Sequence, residues 1–196
     1  MINLILFGAP GSGKGTQANL IVNQENMTHI STGDIFRKNI QQKTELGEMA
    51  RKYMDKGQLV PDKLTIDLLS SELDSYNHSK GFIFDGFPRT LPQAKAFDIL
   101  LDNRNTPLSM VIFLEVQEEE LIQRLLNRGQ DSGREDDKNE HVIKNRISVY
   151  ENQTSILKDY YCNNINVDFH TIDGEQTIEN IFNEISKVIS NHKSSL

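Results

Sequence analysis

The 196-residue chain has a single cysteine, Cys162, and no tryptophan. One thiol excludes an internal disulfide and any zinc site built from several cysteines, and it points to a reducing, cytoplasmic setting. Basic residues are scarce too: 21 Lys and Arg stand against 28 Asp and Glu, a net charge of −7, with a pI near 5.2. Chains that hold nucleic acid or anionic membranes by nonspecific attraction carry the opposite balance. Any anionic ligand must therefore be gripped by local arginines. The mean hydropathy of −0.50 argues against a membrane span, and Met1-Ile2-Asn3-Leu4 lacks the basic segment of a signal peptide. Repeats, low-complexity tracts and linkers are absent as well, so the length suits one main domain with small insertions.

Glycine, by contrast, is concentrated in one place. The apolar run from Ile2 to Phe7 passes directly into Gly8-Ala9-Pro10-Gly11-Ser12-Gly13-Lys14-Gly15-Thr16, which reads as a buried strand turning sharply into a helix. Gly8, four residues, then Gly13-Lys14 is the spacing of a phosphate-binding loop. Glycines let successive backbone N–H groups face an anion, the next helix aims its positive end at the same point, and Lys14 would reach the outer phosphates of a nucleotide. The alternative is an ordinary glycine-rich turn with Lys14 solvated. Gly15 intervenes where the motif usually has Ser or Thr; a hydroxyl one place later, on Thr16, still reaches a phosphate oxygen but is less suited to ligating Mg²⁺ directly.

Helices are expected over 15–23, 45–56, 62–73, 118–127, 139–161 and 177–189, with a frayed tail at 192–196, and buried strands over 81–85 and 109–115, the latter continuously apolar from Met110 to Leu114 as parallel strands are. His29-Ile30-Ser31-Thr32-Gly33-Asp34 is a short strand entering a helix that Asp34 or Thr32 could cap; locally, Arg37 one turn on reads first as a solvated arginine. Asp62 is likewise expected to cap its helix. Residues 31–60 look like a polar helical insertion with little periodic apolar surface. Asp85 ends an apolar strand at the carboxyl edge where open α/β sheets place ligands, so it suits a Mg²⁺ hydration shell, with a loop cap as the alternative. Gly86-Phe87-Pro88-Arg89-Thr90 then presents Arg89 beside that acid. Arg124 and Arg128 share a helix face, which costs repulsion unless an anion arrives, and a polar loop of about eleven residues with Gly129 and Gly133 follows.

Taken together, GAPGSGKGTQ at 8–17, Ser31-Thr32-Gly33-Asp34 with Arg37, Leu59-Val60-Pro61, Asp85-Gly86-Phe87-Pro88-Arg89-Thr90 with Gln93, and the run from Arg128 to Asp137 resemble the adenylate kinases in order and spacing, over nearly the whole chain. The resemblance implies an α/β P-loop NTPase fold, a three-layer sandwich around a five-stranded parallel sheet. Its core would be 1–30, 61–126 and 138–196, its AMP-binding insertion 31–60 and its short lid 127–137. It implies reversible transfer from ATP to AMP giving two ADP, with Mg²⁺, in maintenance of adenine nucleotide balance. By that similarity Gly11, Ser12, Gly13, Lys14, Gly15, Thr16, Arg128 and Gln176 bind ATP. Thr32, Arg37, Gln58, Leu59, Val60, Gly86, Phe87, Pro88, Arg89, Gln93, Arg134 and Arg146 bind AMP, Gln93 on its adenine. Lys14, Asp85, Arg89, Arg128, Arg134 and Arg146 carry the chemistry, Asp85 through Mg²⁺-bound water, and Arg124 is a weaker member of the cluster. No structural zinc, no nucleic acid and no membrane partner is expected, and the chain is expected to be a monomer acting on ATP, AMP and ADP. The stretch after Arg134 runs one residue longer than in other short-lid members. Two rival readings are a UMP/CMP kinase, against which Thr32 and Thr90 speak, and a catalytically silent nucleotide-binding module, which would not need Lys14, Asp85, Arg89 and the lid arginines together.

Overall fold

Ile2, Leu4 and Leu6 point to one side of the first strand and Ile5 and Phe7 to the other, and both sets are buried. A strand with no wet face belongs in the middle of a sheet covered by helices on both sides. In the computed structural model, which describes residues 1–76 and 79–195, this strand, β1 (Ile2–Phe7), is central. It lies parallel to β3 (Gly81–Asp85) and β4 (Met110–Glu115), with β2 (Thr28–Ser31) and β5 (Asp168–Asp173) at the edges, in the order β2-β3-β1-β4-β5. The register pairs Leu6 with Asp85 and with Ile112, so the carboxyl ends of the three central strands are level.

One face of the sheet packs against α1 (Lys14–Glu25) and α9 (Ile178–Ser194) through Ala18, Ile21, Ile181, Ile185 and Ile189. The other packs against α4 (Asp62–Asp74), α5 (Leu91–Asn103) and α8 (Leu157–Cys162) through Leu69, Leu73, Phe97, Leu101, Leu157 and Tyr161. This is the expected three-layer sandwich. Phe97 lies edge-on to Phe84 and Phe87, with ring centroids 4.7 and 5.4 Å away; truncating such a ring costs about 3–5 kcal/mol.

Six local expectations are corrected. The helix expected over 139–161 is two helices, α7 (Glu140–Val149) and α8, separated by a π-turn at Tyr150–Thr154. The polar loop is shorter than expected, because α6 (Glu118–Asp131) continues through residues 127–131 before a 3₁₀ turn at Glu135–Asp137; buried Gly129 lets the helix pass against the Asp137 backbone, where a Cβ would come within 2.4 Å of its carbonyl oxygen. Ser31, rather than Thr32 or Asp34, caps α2 (Thr32–Gln41), and Asp62 is already helical, with Pro61 before it. The chain end is not frayed at 192: α9 runs to Ser194 and His192 Nδ1 lies 2.9 Å from Asp168 Oδ2. Leu196 lies outside the described residues. The insertion is also less polar than expected, since Phe36, Ala50 and Val60 form a small core with Ile40, Leu46, Tyr53 and Met54 from α2 and α3 (Glu45–Met54) and with Leu64 and Leu68 of α4. Among the described residues, no helix is long and apolar enough to cross a membrane.

Candidate active site

The carboxyl ends of β1 and β3, with that of β2 beside them, form the floor of a cavity of about 700 Å³, a size that suits small-molecule ligands. At the end of β1 the backbone turns through positive φ at Gly8 (+144°), Gly11 (+91°) and Gly13 (+96°). A Cβ on Gly8 would lie 2.6 Å from the Leu114 carbonyl oxygen, so glycine is required both by conformation and by space. Helix α1 starts at Lys14 with no side-chain cap, leaving its first amide groups to a ligand. Lys14 Nζ donates to the carbonyls of Gly8 and Ala9, each at 2.8 Å, and to Ser12 Oγ at 3.3 Å. The lysine folds back over its own loop. Burial, opposed by Asp85 and reinforced by Arg89, Arg128 and Arg146, lowers its pKa to about 8.

Asp85 ends β3 behind the loop, its Oδ2 3.6 Å from where a Cβ on Gly15 would stand and 3.6 Å from His29 Nε2. Burial works against ionisation, but His29, Lys14 and Arg89 outweigh it and hold the carboxyl below its usual range. Beyond it Gly86 takes φ +74° and its carbonyl accepts from Thr32 Oγ1 and from Arg89 Nε, both at 2.8 Å. Arg89 N–H donates to Gln93 Oε1 at 2.8 Å, while Gln93 Nε2 and Thr90 Oγ1 both donate to Asp62 Oδ1, at 2.8 and 3.0 Å. Gln93, expected at an adenine, is thus already bonded at both ends of its amide. Burial together with Arg146 and Arg37, against the pull of Asp85, brings the Arg89 guanidinium down to about 10, still charged at neutral pH.

The other arginines arrive from α2, α6, α7 and the segment before the 3₁₀ turn, and each meets a carboxylate. Asp137, with no exposed surface, accepts from Arg128 Nε at 2.7 Å and Nη2 at 3.1 Å, and from Arg146 Nη1, which also lies 3.0 Å from Asp136. Burial raises the Asp137 pKa less than the two arginines lower it. On the opposite rim Asp34 Oδ1 accepts from Arg37 at 2.5 Å and, across the cleft, from Arg134 at 3.0 Å. Arg124 bonds Glu120 at 2.6 Å and the Gly174 carbonyl at 2.9 Å, so the repulsion expected between Arg124 and Arg128 is relieved within the chain, without a ligand. Gln176 lines the cavity and donates to Glu184 Oε1 at 3.0 Å. Every site residue expected from sequence, including Gly11, Ser12, Gly13, Gly15, Thr16, Gln58, Leu59, Val60, Phe87 and Pro88, borders this one cavity.

Several residues of the same wall were not anticipated. The partnering roles of Asp34, Asp136 and Asp137 had a faint signal, acids interleaved with arginines; His29 beside Asp85 and Thr154 from the π-turn had none. Among the described residues no group of three or more His, Cys, Asp or Glu could hold a metal ion. The cleft instead offers one ionised carboxylate, Asp85, at its floor. That donor set suits a hard cation that keeps its waters and takes its other ligands from substrate phosphates, as Mg²⁺ does.

Comparison with known proteins agrees with this geometry. The adenylate kinase family model matches residues 6–166. The adenylate kinase of Flavobacterium psychrophilum is 52% identical over 191 residues, 97% of this chain and 100% of that protein. The adenylate kinase of Parabacteroides distasonis is 52% identical over 194 residues, 98% of this chain and 100% of that one. The adenylate kinase of Bacteroides fragilis is 51% identical over 189 residues, 96% and 98% of the two chains.

Proposed function

The chain belongs to the adenylate kinase family, and on that premise we propose how its cleft carries out the reaction. It catalyses ATP + AMP ⇌ 2 ADP, a phosphoryl transfer between nucleotides. Residues 11–16 would wrap the ATP phosphates, with Arg128 beside them and Gln176 near the base. Thr32, Arg37, the backbone of residues 58–60, the segment 86–89, Gln93, Arg134 and Arg146 would hold AMP, Arg37 and Arg89 on its phosphate. Residues 31–60 and about 127–137 would be the parts that close over the substrates. A monomer in the cytoplasm completes the proposal, its indifference to nucleic acid supported by the acidic balance of the chain.

The acceptor is a phosphate whose second pKa is about 6, already a nucleophile at neutral pH, so no general base is required. The obstacle is repulsion between two polyanions. One observation carries the reading: Arg37, Arg89, Arg128, Arg134 and Arg146 come from separate parts of the chain yet border the same cavity as Lys14. Fixed guanidinium forks grip phosphate oxygens in pairs and stay charged, so they can align donor and acceptor and stabilise charge at the transferring group. Mg²⁺, when bound to ATP, would offset part of the phosphate charge, with Asp85 orienting its hydration shell. Closure over both nucleotides would exclude water, the competing acceptor.

The test is an acceptor panel. With MgATP as donor, AMP should be phosphorylated far faster than CMP, UMP or GMP; preference for a pyrimidine would overturn the AMP assignment.

A further inference from the structure

The π-turn at Tyr150–Thr154 is closed by the Ser155 N–H bonding the Tyr150 carbonyl at 2.9 Å, five residues back. Such turns are rare and their hydrogen bonds are poorer than those of an α-helix, so one persists where the extra residue places something. The reference point is Arg146 on α7, with Tyr150 one turn later on the same face. In an unbroken α-helix two turns take about 7.2 residues, and Thr154 would sit roughly 80° around the axis from Arg146. One additional residue in the turn lengthens those two turns to about 8.2 and returns Thr154 to the cleft face.

There the Thr154 side chain, 5% exposed, donates through Oγ1 to the carbonyl oxygen of Arg89 at 2.7 Å. The two residues lie 65 positions apart. Arg89 is thereby held at three points: its N–H by Gln93, its Nε by the Gly86 carbonyl and its own carbonyl by Thr154. Its terminal guanidinium nitrogens have no hydrogen bond to another described residue. We propose that Thr154 is a positioning residue for Arg89, and that the π-turn serves to bring the Thr154 hydroxyl into line with Arg146 so that two phosphate-facing arginines share one support. This rests on the reading of Arg89 as a ligand of the AMP phosphate.

Steady-state kinetics of Thr154→Val, Thr154→Ser and Arg89→Ala, varying AMP and ATP separately, test it. Thr154→Val keeps the shape and removes the donor, and kcat/KM for AMP should fall about three- to tenfold, the range for one lost hydrogen bond, with KM for ATP unchanged within about twofold. Thr154→Ser keeps the hydroxyl and should stay within about twofold of wild type on both substrates. An equal loss for AMP and ATP, no loss for AMP, or a serine variant as impaired as the valine variant overturns the proposal. If Thr154→Val does not fold, Thr154→Ala is judged by the same two ratios. Arg89→Ala separates the layers: intact AMP kinetics would overturn the site reading and this inference together, whereas a damaged Arg89→Ala beside a normal Thr154→Val overturns the inference alone.

Discussion

Asp137→Asn is the substitution whose consequence can be worked furthest. The wild-type carboxylate has no exposed surface and accepts from both Arg128 and Arg146. The amide keeps the shape, loses the charge and turns an N–H₂ group toward two guanidinium groups that can only donate. Removing one partner of a buried ion pair costs about 3–5 kcal/mol. Arg128 is 35% and Arg146 15% exposed, so water reaches part of the uncovered charge and a loss of about 3 kcal/mol is expected. At about 2–4 °C per kcal/mol for a chain of this size, the thermal midpoint should fall by about 6–12 °C at neutral pH.

Two further readings make this specific to charge. Because the folded-state pKa of Asp137 is depressed, its contribution is complete above the unfolded carboxylate value of about 3.9 and is lost as pH falls through the lower folded value. The gap between wild type and variant should therefore close below about pH 4. Triphosphate ligand should also raise the midpoint of the variant more than that of wild type, since it supplies the anion that the arginines have lost. Equal midpoints at neutral pH, or a gap that persists undiminished in acid, would refute the account.

Two other expectations follow from the same cluster. Lys14, at about 8 in the ligand-free chain, should lose its proton as pH rises through that value, so kcat/KM for ATP should decline there while kcat at saturating ATP declines only at higher pH, because bound phosphate favours the charged lysine; matching pH profiles for the two parameters would count against it. Asp34→Asn should loosen the bridge from Arg134 to the insertion, and since exposed pairs are worth at most about 1 kcal/mol, amide hydrogen exchange over residues 132–137 should quicken by no more than about fivefold in the ligand-free chain, with no change when both nucleotides are bound.

What could be read in advance follows from how local its cause is. Gly8, Gly11 and Gly13 announce the phosphate loop because positive φ is a property of single residues. The central strands announce the parallel sheet because burial on both faces favours near-continuous apolar runs, as in Met110–Leu114 and, with buried Asn3 as the one polar residue, Ile2–Phe7. The π-turn left no trace, since Tyr150-Glu151-Asn152-Gln153-Thr154 is compatible with an ordinary helix and the reason for the extra residue is Arg89, 65 positions away. The small core of the insertion escaped although α3 has apolar residues at helical spacing (Leu46, Ala50, Tyr53), because their partners lie on α2, on α4 and at Val60 between the helices, and local sequence does not show that these segments meet. Asp34 and Asp137 were hidden among 28 acids; Asp34 acquires its meaning only when folding brings Arg134, 100 residues away, to its side.

Those two acids also differ in kind, and the difference bears on how a cluster of cations can be both stable when empty and available when filled. Asp137 has no exposed surface, does not line the cavity, and binds both Arg128 and Arg146. It is a permanent counter-ion that orients. Asp34 is 52% exposed and takes Arg37 from its own helix and Arg134 from across the cleft on a single oxygen. A phosphate offers more acceptor oxygens than one carboxylate, so it can replace Asp34 on both guanidinium groups without either moving far, while Asp137 continues to hold Arg128 and Arg146 in place. On the proposed binding mode, burial decides which carboxylate would give way: the exposed one costs about 1 kcal/mol or less to surrender, the buried one several times that.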